Sequence, residues 1–171
     1  MTQKRGKTRQ TNFFDVCRTC QSYSCCFGTL PPITAKRRRI IEDYLRKEGI
    51  MVEDAFVEEE YVFPRVKADG YCVFHDARTR KCLIHPVKPE TCVAGPVTFD
   101  INKNTGKLEW FIKFEKICQL AGVVYRDKIL LENHLKAAKK EIQTLVKELS
   151  ARELKAILCK DEPETFKIGE D

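Results

Sequence analysis

The sequence predicts an α+β fold, on three observations. Residues 97–101 and 107–114 read VTFDI and KLEWFIKF, two runs rich in β-branched and aromatic residues joined by the turn NKNTG. From Asp127 onward the apolar residues recur every three or four positions, the period of an amphipathic helix. Eight of the nine cysteines fall before that helix, between Cys17 and Cys118, among short segments that carry neither period for long. Together these describe a small cysteine-rich domain with a β-hairpin, followed by a C-terminal amphipathic helical pair.

Taken in chain order, residues 1–12 form a polar, basic arm without periodicity. Pro31 and Pro32 close the loop after the first cysteines, and Thr34 is placed to cap a helix AKRRRIIEDYLRKE that Gly49 ends. Its expected buried stripe is Ile40, Ile41, Tyr44 and Leu45. YVFPRVK, residues 61–67, reads as an edge strand because Pro64 cannot donate to a ladder. YCVF, after the Asp69-Gly70 turn, reads as a second strand. Within the hairpin loop, Asn104 and Gly106 tolerate positive φ.

The long helix runs through DKILLENHLKAAKKEIQTLVKEL, with Leu131, Leu135, Ala138, Ile142, Leu145 and Leu149 as its stripe. Ser150 and Glu153 then form a capping box that starts a second helix, ARELKAILC. Residues 161–171 carry five acids and are expected to be a solvated tail. The expected organisation is a basic arm at 1–12, a cysteine-rich domain at 13–125, helices packed on it at 126–160, and the acidic tail at 161–171. No internal repeat and no low-complexity segment interrupts it.

Composition limits the function classes. With 43% hydrophobic residues in 171, the chain can bury a core of its own. No apolar run approaches the roughly 18 residues of a membrane span, and the opening MTQKRGKTRQ has no apolar stretch behind it, so a cytoplasmic location with no membrane partner is expected. In that compartment thiols stay reduced, which makes metal binding or redox chemistry the default use of many cysteines, ahead of a disulfide framework. The formal charge of +6 counts every thiol as neutral. Eight thiolates around two zinc ions would bring it to about +2, so nucleic-acid binding would rest on the arm and on one basic run, and is not favoured.

Cys17 and Cys20 form a CxxC, which sets two sulfurs on one side of a tight turn and can fill two corners of a tetrahedron. Cys25 and Cys26 are adjacent; in extended backbone they would face opposite ways and serve two different centres, or one would ligate while the other packs. Cys72, Cys82 and Cys92 follow at even spacing, then Cys118, and the four early with four later thiols suit two four-thiolate sites. His75 and His85 lie between these cysteines and can replace a sulfur. Cys159, at the apolar end of a helix, is expected to be a buried free thiol, and His134 a surface or core-edge residue. The run KRRR at 36–39 sits at a helix start, where cations are unfavourable; a solvated face is expected, with a phosphate backbone or a thiolate cage as the sharper alternatives.

C-x2-C-x4-C-C at 17–26, DGYCVF at 69–74, CLIHPVKPETC at 82–92 and ICQLAG at 117–122 together resemble the YkgJ-type cysteine-cluster family, a zinc- or iron-chelating domain with a relative in flagellin lysine N-methylases. The resemblance covers roughly residues 13–125. It implies a metal-binding set of Cys17, Cys20, Cys25, Cys26, Cys72, Cys82 and Cys92, with Cys118 matching a later cysteine of many members. Two departures stand out: Lys88 precedes Pro89 where the family usually has Arg-Pro, and VAGP follows Cys92 where an Arg and a Pro are common.

The expected function is therefore a metal-binding protein that coordinates zinc or iron, with an iron–sulfur cluster among the options, since thiolates suit each. An iron–sulfur or thiol redox or methyl-transfer enzyme is one rival, and would need an open coordination position or a reactive thiol, first of all at Cys25 or Cys26. No G-x-G-x-x-G nucleotide fingerprint accompanies it. The other rival is a nucleic-acid or protein adaptor with purely structural zinc, using the arm or, for a protein partner, the C-terminal helices.

Overall fold

The computed structural model describes residues 25–159 and 164–171. Cys17, Cys20 and the basic arm lie outside the described residues.

Thr34 caps helix α1, Ala35–Lys47, by accepting the Arg37 backbone N–H on its hydroxyl at 3.0 Å, and Gly49 leaves the helix at φ +64°. Of the expected stripe, Ile41 and Leu45 are buried, Tyr44 is half-buried and Ile40 is exposed. Ile41 and Leu45 join Ile33, Phe74 and Ile84 in a first core cluster, against which Cys72 and Cys82 are packed. Strands β1, Phe56–Glu58, and β2, Val62–Pro64, make an antiparallel ribbon with Phe56 opposite Pro64, so every strand in it is an edge and Pro64 breaks no ladder.

YCVF does not form the expected strand. Tyr71 and Cys72 make only isolated bridges, to Phe27 and Val66, and the chain then turns into β3, His75–Asp76, which pairs with β4, Lys81–Cys82. The backbone N–H of Cys72 goes to the Cys26 carbonyl and that of Val73 to the Arg65 carbonyl. Successive residues thus hydrogen-bond to two different segments, and no single ladder can run through them.

A 3₁₀ turn at His85–Val87 leads to the short helix α2, Glu90–Ala94, and then to the hairpin of β5, Val97–Ile101, and β6, Leu108–Lys113. The strands pair from Val97 opposite Ile112 to Ile101 opposite Leu108, and Gly106 takes the positive φ of the loop, +71°. Helices α3, Gln119–Arg126, α4, Lys128–Glu148, and α5, Ala151–Leu158, follow. Asp127 caps α4, and the Ser150–Glu153 capping box is formed as expected. On α4, Ala138, Ile142 and Leu145 are fully buried against Ala94, Val97, Phe99 and Trp110. Each large apolar side chain buried there contributes about 1.5–3 kcal/mol.

The acidic tail is corrected by the structure. Thr165–Glu170 is strand β7, antiparallel to β6 on the side away from β5, giving the sheet order β5-β6-β7. Its alternation explains this. Phe166 and Ile168 pack on the Ile112, Leu120, Ala121 and Val124 cluster, while Lys167 points out to Glu109 and Glu170. Among the described residues no helix is long and apolar enough to cross a membrane.

Candidate metal centre

The centre is assembled where two loop segments meet. Cys72 donates its backbone N–H to the Cys26 carbonyl at 2.7 Å, and Gly28 donates to the Gly70 carbonyl at 2.9 Å, locking residues 26–28 antiparallel to 70–72. Gly70 makes the approach possible. It sits at φ +82°, and a Cβ there would lie 2.7 Å from the Phe27 ring. Phe27 meets Tyr71 edge-on at 5.1 Å, and Tyr71 stacks on His75 at 4.6 Å, so an aromatic wall stands beside the doublet.

The doublet lies in a turn, with its two Sγ atoms 3.9 Å apart. It therefore presents both sulfurs to one side, unlike an extended pair that would divide them between two faces. Cys82 is brought in by the β3–β4 ribbon, opposite His75, and Cys92 by α2. The thiols feel one another. Cys82 and Cys92 act on Cys26, Cys72 and Cys25 act on Cys82, and Cys82, Cys72 and Cys25 act on Cys92. The structure thus brings Cys25, Cys26, Cys72, Cys82 and Cys92 into one electrostatic neighbourhood.

Within the doublet one proton is shared. The hydrogen bond from Cys26 holds the exposed Cys25 thiol down at about 6, with Lys88 and Lys113 adding positive charge. Cys26 keeps the proton and is pushed up, first by that bond, then by burial and the neighbouring thiols. Burial is the leading cause that raises Cys72, Cys82 and Cys92, with Cys82 pushed up to about 11. Lys88, at the position where the family usually has arginine, opposes the rise at Cys82 and Cys92. It acts here as a point charge beside the thiols.

Both candidate histidines are near this neighbourhood and are held toward the neutral, ligating form. His75 is lowered by burial and then by Lys67, and His85 by burial and then by Lys88. Cys118 is the N-cap residue of α3 and packs on the Ile112–Leu120 cluster. The thiol of Cys159 is exposed, not buried as expected, because it falls one residue beyond α5, at the helix end facing solvent. His134 donates from Nε2 to the Ala94 carbonyl at 2.9 Å, a core-edge position.

The basic run is partly committed to the protein itself. Arg37 bridges Glu90 and Glu141, at 3.6 and 2.5 Å, and Arg38 pairs with Glu42 while lying over the Phe56 ring. Lys88 was legible in the sequence as the cation at the family's arginine position, but there was no signal for the Arg37 bridge or for Lys113 near Cys25, since those contacts join segments far apart in the chain.

A tetrahedral zinc with Zn–S bonds of about 2.3 Å has its sulfurs about 3.8 Å apart. The 3.9 Å separation of Cys25 and Cys26 matches one edge of that tetrahedron. Among the described residues no three His, Cys, Asp or Glu side chains come close enough to hold a metal ion by themselves. The donor set nonetheless fits a thiophilic metal: five thiols, one already favoured as thiolate, with lysines near them.

The family model CxxCxxCC, described as "Putative zinc- or iron-chelating domain", matches residues 16–119. The chain belongs to this family. Its thiol motif has four residues between Cys20 and Cys25, and the matched span takes in all eight cysteines from Cys17 to Cys118. No curated protein and no solved structure matches the chain. Membership supports zinc or iron binding as the function of the cysteine cluster.

Proposed function

We propose that this protein holds zinc in a thiolate centre to which Cys25, Cys26, Cys72, Cys82 and Cys92 contribute, with Cys17, Cys20 and Cys118 as the further donors of the family motif. Eight donors suit two four-thiolate zinc sites, and the observation that carries tetrahedral coordination is the doublet, whose sulfurs sit 3.9 Å apart on one side of a turn, the length of one tetrahedron edge. The hydrogen bond between the two sulfurs favours one thiolate within the doublet, with the Cys25 thiol the one held down. The buried thiols must give up protons to ligate, so loading releases protons and is favoured by rising pH. Lys88 and Lys113 offset part of the negative charge that four thiolates leave around a dication.

The test is the metal and acid-labile sulfide content of anaerobically purified protein, with its visible spectrum. Colourless protein with bound zinc and no sulfide is expected, and replacing Cys25 or Cys26 by Ser lowers the zinc content. Brown protein with iron and sulfide would replace zinc by a cluster. Protein that binds neither metal under those conditions would overturn the proposal.

A further inference from the structure

Cys92 lies in the middle of α2, a helix of five residues, Glu90–Ala94. One turn and a half of helix has no stability of its own, so something else must hold the thiol in place. Both ends of α2 are tied to other elements. At its start Glu90 is buried, at 2% exposure, and its Oε1 accepts the Thr34 hydroxyl at 2.7 Å and faces Arg37 at 3.6 Å. Arg37 in turn reaches Glu141 on α4 at 2.5 Å. At the other end of α2, the Ala94 carbonyl accepts from His134 of α4 at 2.9 Å. Ala94 itself is fully buried in the cluster that α4 supplies with Ala138, Ile142 and Leu145. His134 and Glu141 are seven residues apart, two turns along one face of α4 and about 10.5 Å in rise, so a single helix face grips both ends of the Cys92 segment.

We propose that α4 sets the position of the Cys92 thiol, and through it the metal affinity of the centre, with His134, Glu141, Arg37 and Glu90 as positioning residues. The inference rests on Cys92 being a ligand, as proposed above. The family match ends at residue 119, before α4 begins at Lys128. In this chain a helix outside the matched region therefore governs a site inside it. Anything that shifts α4, such as a partner bound to its outer face, changes metal affinity, and by reciprocity metal loading stiffens α4 against displacement.

The experiment is a competition for zinc against a chromophoric chelator, on the full chain at 15 °C, with folding checked by circular dichroism. The variants are Glu141→Gln, His134→Leu, the two combined, His134→Gln, and Cys92→Ser. His134→Gln keeps a donor toward the Ala94 carbonyl and serves as the conservative rescue. We expect the combined variant to bind zinc at least tenfold more weakly, and His134→Gln to stay within about twofold of the parent. In the metal-free combined variant, Cys92 reacts faster with iodoacetamide, a change that a loss of stability elsewhere would not produce at that residue alone. If the combined variant fails to fold, the single Glu141→Gln variant, altered at a partly exposed side chain, takes its place, with several-fold weakening expected. Zinc affinity within twofold of the parent in a folded Glu141→Gln, His134→Leu protein, alongside weakened Cys92→Ser, overturns this inference alone. Parental affinity in Cys92→Ser overturns the ligand assignment and the inference with it.

Discussion

Metal-free protein should lose stability as pH rises above about 8.5, and Cys82 supplies the magnitude; below that pH Cys25, held down at about 6, makes metal-free stability rise with pH. In the metal-free fold its thiol is pushed up to about 11, mainly by burial against the first core cluster. In the unfolded chain the same thiol ionises near 8.5. Below about pH 8.5 both states hold the proton, and Cys82 makes its full contribution to stability. Above it the unfolded chain loses the proton while the folded protein keeps it, so stability falls as pH rises. The loss is complete once the pH passes about 11. At about 1.36 kcal/mol per pH unit, that interval costs roughly 3 kcal/mol. Cys72 and Cys92 are shifted in the same direction and steepen the fall.

With zinc bound the ligands are thiolates in the folded state, so the folded protein holds fewer protons than the unfolded chain below about pH 8.5. Stability then rises with pH through that range and is lost on acidification. The assay is denaturant unfolding at intervals from pH 6 to 11, on reduced protein with and without zinc, in the parent and in Cys82→Ala. Subtracting the variant removes the contribution of lysines and tyrosines that titrate in the same range. A metal-free parent that loses no more stability than Cys82→Ala between pH 9 and 11 would refute the burial of this thiol. A zinc-loaded protein that shows the metal-free fall over that range would refute its ligation.

Three further outcomes are expected. Ile142→Ala, at a fully buried position facing Trp110, costs about 2–5 kcal/mol and lowers the melting temperature by roughly 5–15 °C, read by thermal unfolding. Gly70→Ala places a Cβ in the left-handed region and against the Phe27 ring, so it costs at least about 1–2 kcal/mol; because it spreads the two segments carrying Cys26 and Cys72, zinc affinity falls as well. Ser150→Ala removes the capping box of α5 at a cost of about 1 kcal/mol, and Cys159→Ser at the exposed end of that helix changes little; in neither variant does zinc content move.

Where local chemistry decides the backbone, the sequence was legible. The Thr34 cap, the Gly49 stop, the Ser150–Glu153 box and the β5–β6 hairpin with Gly106 at positive φ all follow from nearest neighbours. The structure differs from expectation at YCVF and at residues 165–170, for opposite reasons. Tyr71 and Cys72 have strand composition, but their backbone partners are taken from separate segments, Phe27 and Val66. Phe166 and Ile168 are only two apolar residues among acids, and β6 offers them an open edge and a cluster to cover. Neither the edge nor the competing partners can be seen from within a short window.

The sequence by itself determined that the chain is α+β, that its cysteines form a zinc- or iron-binding family motif, and where α1, α4 and α5 start and stop, while α2 and α3 carry no such local signal. These depend on residue type and on spacings of a few positions. Only the tertiary structure decided that Cys25 and Cys26 face one side, that Cys72, Cys82 and Cys92 lie within electrostatic reach of them, and that Arg37 joins α2 to α4 instead of facing solvent. Those facts depend on which distant segments share a core. Hydrophobic burial is non-directional, so composition can say that Ile41, Phe74 and Ile142 go inside without saying what they meet there.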